Sequence, residues 1–254
     1  RIYSGKLEDV QVDKLYTETT SDNDNLNFGG PPEHIINANN NAGFSIVKYK
    51  GDGATTAKVP HGLSAAPEMV FVKRTDSSSD WYVWATPVMS ITGSTSDYMV
   101  LNSSAAKVTA ASVTNLWGGN VPSATTIGVG DSGGSNASGG DYIAYCFHSV
   151  TGYSKIGSYT GTGAANNTVT VGFQPDFVMV KSSNQAEPWF ILDSARDTSN
   201  PRDNRLMVDS DAVEDDGSVH TMNFNSTSFT LNGTTGNGTN GNGHTYIYMA
   251  FKIN

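Results

Sequence analysis

The sequence predicts an all-β protein: two tandem, related antiparallel β-sandwich modules of jelly-roll type behind an N-terminal extended arm. Three observations carry this. Short runs rich in aromatic and β-branched residues recur at close intervals, and clusters of Gly, Pro, Asn, Asp and Ser separate them. The chain is also written twice. The run from Gly43-Phe44-Ser45 to Val70-Phe71-Val72-Lys73 returns as Gly152-Tyr153-Ser154 to Met179-Val180-Lys181. Each copy passes from a strand ending in Tyr (Tyr49, Tyr159) through a Gly-x-Gly turn (Gly51-Asp52-Gly53, Gly161-Thr162-Gly163) to Gly62-Leu63 or Gly172-Phe173. A Pro (Pro67, Pro175), an apolar strand ending in Lys, and a Trp (Trp81, Trp189) follow in both.

Residues 1–42 differ from the rest. Val10, Val12 and Leu15 suggest a short extended or mixed segment, and a polar stretch then runs from Thr17 to Asn25. Gly29-Gly30-Pro31-Pro32 breaks any regular element, and Asn37-Ala38-Asn39-Asn40-Asn41 reads as a linker. This segment is an arm that packs on a partner or on the sandwich edge, with a disordered leader as the equal alternative. Residues 43–150 form the first module, with strands over Phe44–Tyr49, Thr56–Val59, Met69–Lys73, Trp81–Ala85, Tyr98–Leu101 and Tyr142–Phe147. Residues 151–254 form the second, with strands over Tyr153–Tyr159, Thr168–Phe173, Phe177–Lys181, Trp189–Leu192, Leu206–Val208, Phe229–Leu231 and Tyr246–Phe251. Alternation is clearest at Val169, Val171 and Phe173, which share one face. Met99-Val100-Leu101-Asn102-Ser103 matches Leu206-Met207-Val208-Asp209-Ser210, and the closing strands match, so the duplication covers the whole module. Before each closing strand lies a glycine-rich loop, 130–140 and 232–243, in the same place but with different sequence. Turn geometry explains such loops, since Asn and Gly tolerate positive φ, and so does variable recognition on a rigid scaffold.

Composition narrows the function. With 27 Gly and only 15% charged residues, but with ample Tyr, Phe and Val, the chain suits a loop-rich β protein better than a disordered one. A net charge of −9 argues against nucleic acid and anionic membrane surfaces, which select Lys and Arg. No run reaches membrane-spanning length, and no signal peptide is visible. The chain opens on Arg1, as a processed or partial product would. The single cysteine, Cys146, excludes an internal disulfide framework and lies in an apolar strand, which marks it as a buried thiol.

Gly43-Phe44-Ser45-Ile46-Val47-Lys48-Tyr49, His61-Gly62-Leu63, Ala66-Pro67-Glu68-Met69-Val70, Tyr142 to Phe147 and Gly152 to Tyr159 together resemble a duplicated β module of tailed-bacteriophage virion proteins, particularly marine ones. The resemblance covers roughly residues 43–252. It implies a tail-fibre, spike or capsid-surface component at the virion surface, other virion proteins as partners and a homo-oligomer, commonly a trimer. It implies no catalytic residues.

The residues themselves show no catalytic set. The five histidines (His34, His61, His148, His220, His244) are scattered, and no nucleophile elbow, zinc-protease helix or phosphate loop is present. The acidic cluster Asp209, Asp211, Glu214, Asp215 and Asp216 offers a weak Ca²⁺ candidate, chiefly Asp209, Asp211 and Asp215. Val213 and Gly217 break the EF-hand pattern, so a solvated loop is the weightier reading and no cofactor is expected. Trp81 and Trp189 are equivalent and strand-borne, which assigns them to the core. Trp117, beside Asn120 and unmatched in the second copy, is the candidate exposed contact, and Asn237 and Asn240 in the second glycine-rich loop are candidate polar contacts. The expectation is a non-enzymatic virion surface protein that contacts host-surface glycans through hydroxyl, amide and aromatic groups. A stand-alone lectin is the alternative, and a polysaccharide depolymerase ranks third.

Overall fold

The computed structural model of the chain describes residues 17–19, 33–92, 95–109, 115–234 and 236–253, the first three by backbone alone. Its order is β1 (Thr17–Thr19), β2 (His34–Asn39), β3 (Phe44–Lys50), β4 (Ala57–Pro60), β5 (Met69–Arg74), β6 (Trp81–Ala85), β7 (Ile91–Thr92), β8 (Thr95–Ser96), β9 (Met99–Val100), β10 (Thr126–Val129) and β11 (Asp141–Phe147). The second half supplies β12 (Ser154–Thr160), β13 (Asn167–Thr170), β14 (Phe177–Ser182), β15 (Phe190–Asp193), β16 (Leu206–Met207), β17 (Met222–Asn225), β18 (Ser228–Leu231) and β19 (Thr245–Phe251), with one 3₁₀ turn at Ser218–His220. The protein is all-β, and its sheets pack as a β-sandwich.

Both halves share one strand order. The first builds β3-β11-β5-β6-β9 and the second β12-β19-β14-β15-β16, all antiparallel. A smaller sheet covers the inner face of each: β10-β4 in the first half and β13-β18-β17 in the second. The first sheet alone is widened, because β2 pairs along β3 and β1 along β2. Asn37–Asn39, read from sequence as a linker, are therefore strand residues. Their backbone has sheet partners, and that outweighs the turn preference of Asn.

The larger sheets pack back to back. Ile156, Met179, Trp189, Ile247 and Met249 of the second half belong to the same buried cluster as the first half's core. The second half's other face forms a separate cluster with Val169, Val171, Phe173, Phe224, Phe229 and Leu231. Four layers result, and Phe147 meets its equivalent Phe251 edge-on across the middle at 6.3 Å. Central strands buried on both faces read as continuous apolar runs, as Val178-Met179-Val180 does. Polar ties cross the seam as well: Trp189 Nε1 donates to Val100 O (3.0 Å), and Lys107 N to Ser183 O (2.8 Å). The Lys181 ammonium, fully buried, donates to Ser104 O at 3.1 Å and to Ser182 O at 2.9 Å.

Within each half, a clasp joins the Gly-x-Gly turn to the glycine-rich loop. The Asn136 side chain accepts from Asp52 N (3.0 Å) and donates to Ala54 O (3.1 Å); Asn240 likewise accepts from Thr162 N (3.0 Å) and donates to Ala164 O (2.8 Å). Tyr49 and Tyr159 donate to Ser135 O and Thr239 O at 2.7 and 2.6 Å. Tyr142 and Tyr246 accept from Ala137 N and Gly241 N, both at 2.8 Å. The paired rings stack, with centroids 5.2 Å apart in the first half and 5.0 Å in the second. Gly51 and Gly161 permit this approach: a Cβ would lie 2.2 Å from Ala137 O and 2.1 Å from Gly241 O. The two loops thus share a Gly-Ser/Thr-Asn kernel (Gly134-Ser135-Asn136, Gly238-Thr239-Asn240), which their differing flanks hide in the sequence.

Tyr246→Phe removes the acceptor of the buried Gly241 amide, and the expected cost is about 1–3 kcal/mol in urea unfolding. Burial pushes Tyr246 and Tyr248 up to about 12, and Tyr49 and Tyr159 well above the phenol value of 10.0. An unfolded chain releases those protons near pH 10, whereas the folded chain keeps them. Their stabilisation is therefore complete below pH 10 and is lost as pH rises above it, for Tyr246 and Tyr248 by about pH 12. Lys181, lowered by burial from 10.5 to about 8, acts in the opposite sense and adds stability as pH rises from 8. Melting temperature against pH should climb gently above 8 and fall steeply beyond 10, and Lys181→Met should remove only the climb.

Candidate functional site

The residues singled out from the sequence separate into distinct places. Trp117 is 2% exposed, packs edge-on against Trp84 at 5.8 Å, and donates Nε1 to Asp97 O at 3.0 Å. It offers no open ring face, so its reading as an exposed contact is corrected: its indole N–H finds a partner inside, which permits full burial. Asn120 folds back to donate to Gly118 O (2.7 Å) and serves the turn. Asn240 is also buried, with its carboxamide committed to the clasp, so it is no surface contact. Asn237 alone of the four is exposed, and its carbonyl accepts from the Tyr246 hydroxyl.

The acidic candidates are not brought together as a ligand set. Asp209 accepts from Trp189 N (2.8 Å), as Asn102 does from Trp81 N (2.9 Å) in the first half. Asp215 accepts from Gly217 N and pairs with Arg205, and these two contacts hold its carboxyl below the usual range. Asp211 is exposed. Among the described residues no group of three His, Cys, Asp or Glu side chains is placed to hold a metal ion. Cys146 is fully buried, and its thiol is pushed up to about 12 by that burial, so it is no nucleophile. His61 is fully buried too: Nδ1 accepts from Leu63 N (3.1 Å) and Nε2 meets Ser123 O (3.1 Å), and burial lowers its pKa.

What the two halves do not share is an aromatic row. Tyr145 pairs with Phe71, and Phe71 with Val83, which places Tyr145 and Trp81 on one face of the widened sheet. Phe44 lies on the same face, two residues from Ile46, the partner of Tyr145 on β3. The Trp81 and Tyr145 rings are 6.1 Å apart and 28° from parallel; Tyr145 and Phe44 are 6.4 Å apart and 3° from parallel. All three are half-buried. At the equivalent positions of the second half stand Trp189, Met249 and Ser154, and each is buried. Lys48, Asp80 and Asn102 are exposed nearby in sequence or register, and Asn102 donates to Asp80 at 3.0 Å. Trp81 and Tyr145 pack against the buried cluster that joins the halves, so the ring surface left outside that cluster is what is available to stack on a sugar or a flat apolar group.

The sequence reading placed Trp81 in the core by analogy with Trp189; Trp81 does pack against the cluster that contains Trp189, but it is only partly buried. The signal available in the sequence was one partner change, aromatic Tyr145 to Met249; the match of Phe44 to Ser154 rather than to Tyr153 comes from strand register alone. Truncation should separate the two tryptophans. Trp189→Ala is expected to cost about 3–5 kcal/mol, and Trp117→Ala a similar amount. Trp81→Ala should cost clearly less, and chemical unfolding of the three variants side by side checks the ranking.

A family model described as "Domain of unknown function (DUF7483)" matches residues 20–254, and the chain belongs to that family. No curated protein and no solved structure matches it.

Proposed function

We propose that this DUF7483 chain is a non-enzymatic structural protein of a phage virion surface, as a tail fibre, spike or capsid decoration, that contacts host-surface glycans. The observation that carries the contact is the Trp81–Tyr145–Phe44 row, half-buried in one copy while its counterpart in the other is buried. A duplicated scaffold needs only one copy to stay a scaffold, which leaves the other open to diversify a face. The virion setting, the non-enzymatic role and assembly as a homo-oligomer, expected as a trimer, rest on the resemblance of residues 43–252 to phage virion modules. A net charge of −9 suits neutral glycans better than anionic surfaces. The aromatic row serves the stand-alone lectin reading equally well, and location on the particle separates the two.

On a glycan array the intact chain should bind a neutral saccharide saturably, and Trp81→Ala should weaken that binding at least tenfold while keeping the fold. Loss of about 1.4 kcal/mol or more in binding matches that factor. Antibody labelling of native particles should place the chain on the virion exterior. Glycan binding without particle labelling would favour the lectin, and release of reducing sugar from host polysaccharide would overturn the non-enzymatic assignment.

A further inference from the structure

The two copies differ at one sheet edge in a way that specifies its missing neighbour. In the first copy β2 covers the edge of β3: Phe44, Ile46 and Lys48 pair with Asn39, Asn37 and Ile35, and Lys50 N donates to Glu33 O at 2.9 Å. The equivalent strand β12, aligned by the pairs Tyr49–Tyr142 and Tyr159–Tyr246, is the last strand of its sheet. Among the described residues, the chain covers only the two ends of that edge. Val150 bridges Ser154, and Ser149 Oγ accepts from Ile156 N at 2.9 Å. At the far end Asn167 Nδ2 donates to Thr160 O at 3.0 Å. Between them the outward main-chain groups of Ser158, an exposed residue, meet no described partner.

Side-chain packing repeats the difference. In the first copy Ile36 lies on Gly62, where a Cβ would come within 2.7 Å of Ile36 Cγ2 and 3.1 Å of Ala38 Cβ. The equivalent Gly172 has nothing within 4 Å, and it lines an open groove of about 320 Å³ with Ser149, Thr151, Lys155 and Thr170. Tyr49 is 1% exposed beneath β2, whereas its counterpart Tyr159 is only half-buried.

We infer that the β12 edge and the groove at Gly172 receive a short extended strand from a different polypeptide. It runs antiparallel to β12, enters opposite Thr160, pairs with Ser158, and lays a β-branched apolar side chain on Gly172 as Ile36 lies on Gly62. Two residues earlier, a flat or apolar side chain covers Tyr159, in the place of His34 over Tyr49. The strand ends opposite Ile156, where Ser149 and Val150 take over the edge. Main-chain pairing supplies affinity and the two inward side chains supply selectivity, as in other strand-addition complexes. Neither described strand of the N-terminal segment is the occupant, since β2 is held by six pairs along β3 and β1 is paired along β2. This inference does not rest on the glycan reading.

The probe is a synthetic peptide of residues 33–38, whose sequence already fits the equivalent edge, added to the isotope-labelled full chain. The expected result is saturable shifts of the Ser158, Tyr159 and Gly172 amide signals at millimolar peptide. Ser158→Pro should weaken them at least tenfold, with an unchanged melting temperature, since that outward N–H bonds nothing in the sheet. Trp81→Ala should leave them unaltered. Absence of shifts, shifts that survive Ser158→Pro, or shifts equally produced by a scrambled peptide would overturn the inference. Concentration-dependent dimerisation of the chain alone, abolished by Ser158→Pro, would overturn it in favour of a second copy.

Discussion

One buried carboxamide per copy, on Asn136 and Asn240, ties together parts of the chain that nothing local would join. Each holds the Gly-x-Gly turn after the first long strand of its copy against the loop that precedes the closing strand. That closing strand, β11 or β19, is central to its sheet and pairs on both sides. The clasp therefore sets where the central strand begins, and the register of its neighbours follows. A single such bond contributes only about 1 kcal/mol net, but an unmet buried partner costs more. Gly51 and Gly161 have no freedom to change because a carbonyl oxygen occupies the space of their missing Cβ.

Back-to-back packing is the second constraint, and it accounts for the asymmetry between halves that began as copies. Each large sheet must be apolar on both faces, one for its own small sheet and one for the other half. Trp189, Met249 and Ile247 meet that demand fully in the second half. In the first, Trp81, Tyr145 and Phe44 are only half-buried. The second half has the opposite asymmetry: among the described residues, part of the ladder of its edge strand is open. Long open edges invite unwanted pairing, and Ser149, Val150 and Asn167 shorten this one with local bonds. Each half is thus incomplete where the other is finished.

The elements legible in the sequence were those with a repeated and periodic signal. Strands β3, β5, β6, β11, β14 and β19 fall where aromatic and β-branched runs place them, and the twofold order of motifs reappears as twofold strand order. Strands β2, β10 and β17 escaped notice, since His34–Asn39, Thr126–Val129 and Met222–Asn225 are short and interrupt their apolar residues with Asn, Gly or Thr. They become strands because a sheet edge or a partner layer satisfies their backbone. The site residues fared differently. Trp117 and Asn240 looked available because they sit among glycines, yet glycine-rich loops here bring backbone close and enclose side chains.

Sequence alone determined the class of this protein, its duplication and its net charge of −9, because those depend on composition and on periods of two along a strand. Tertiary structure decided which of two equivalent tryptophans is buried, which asparagine is a clasp, and which sheet edge is covered. Those outcomes turn on contacts between residues far apart in the chain. A face is buried or open only once the second sheet, and β2 beside it, have taken their places.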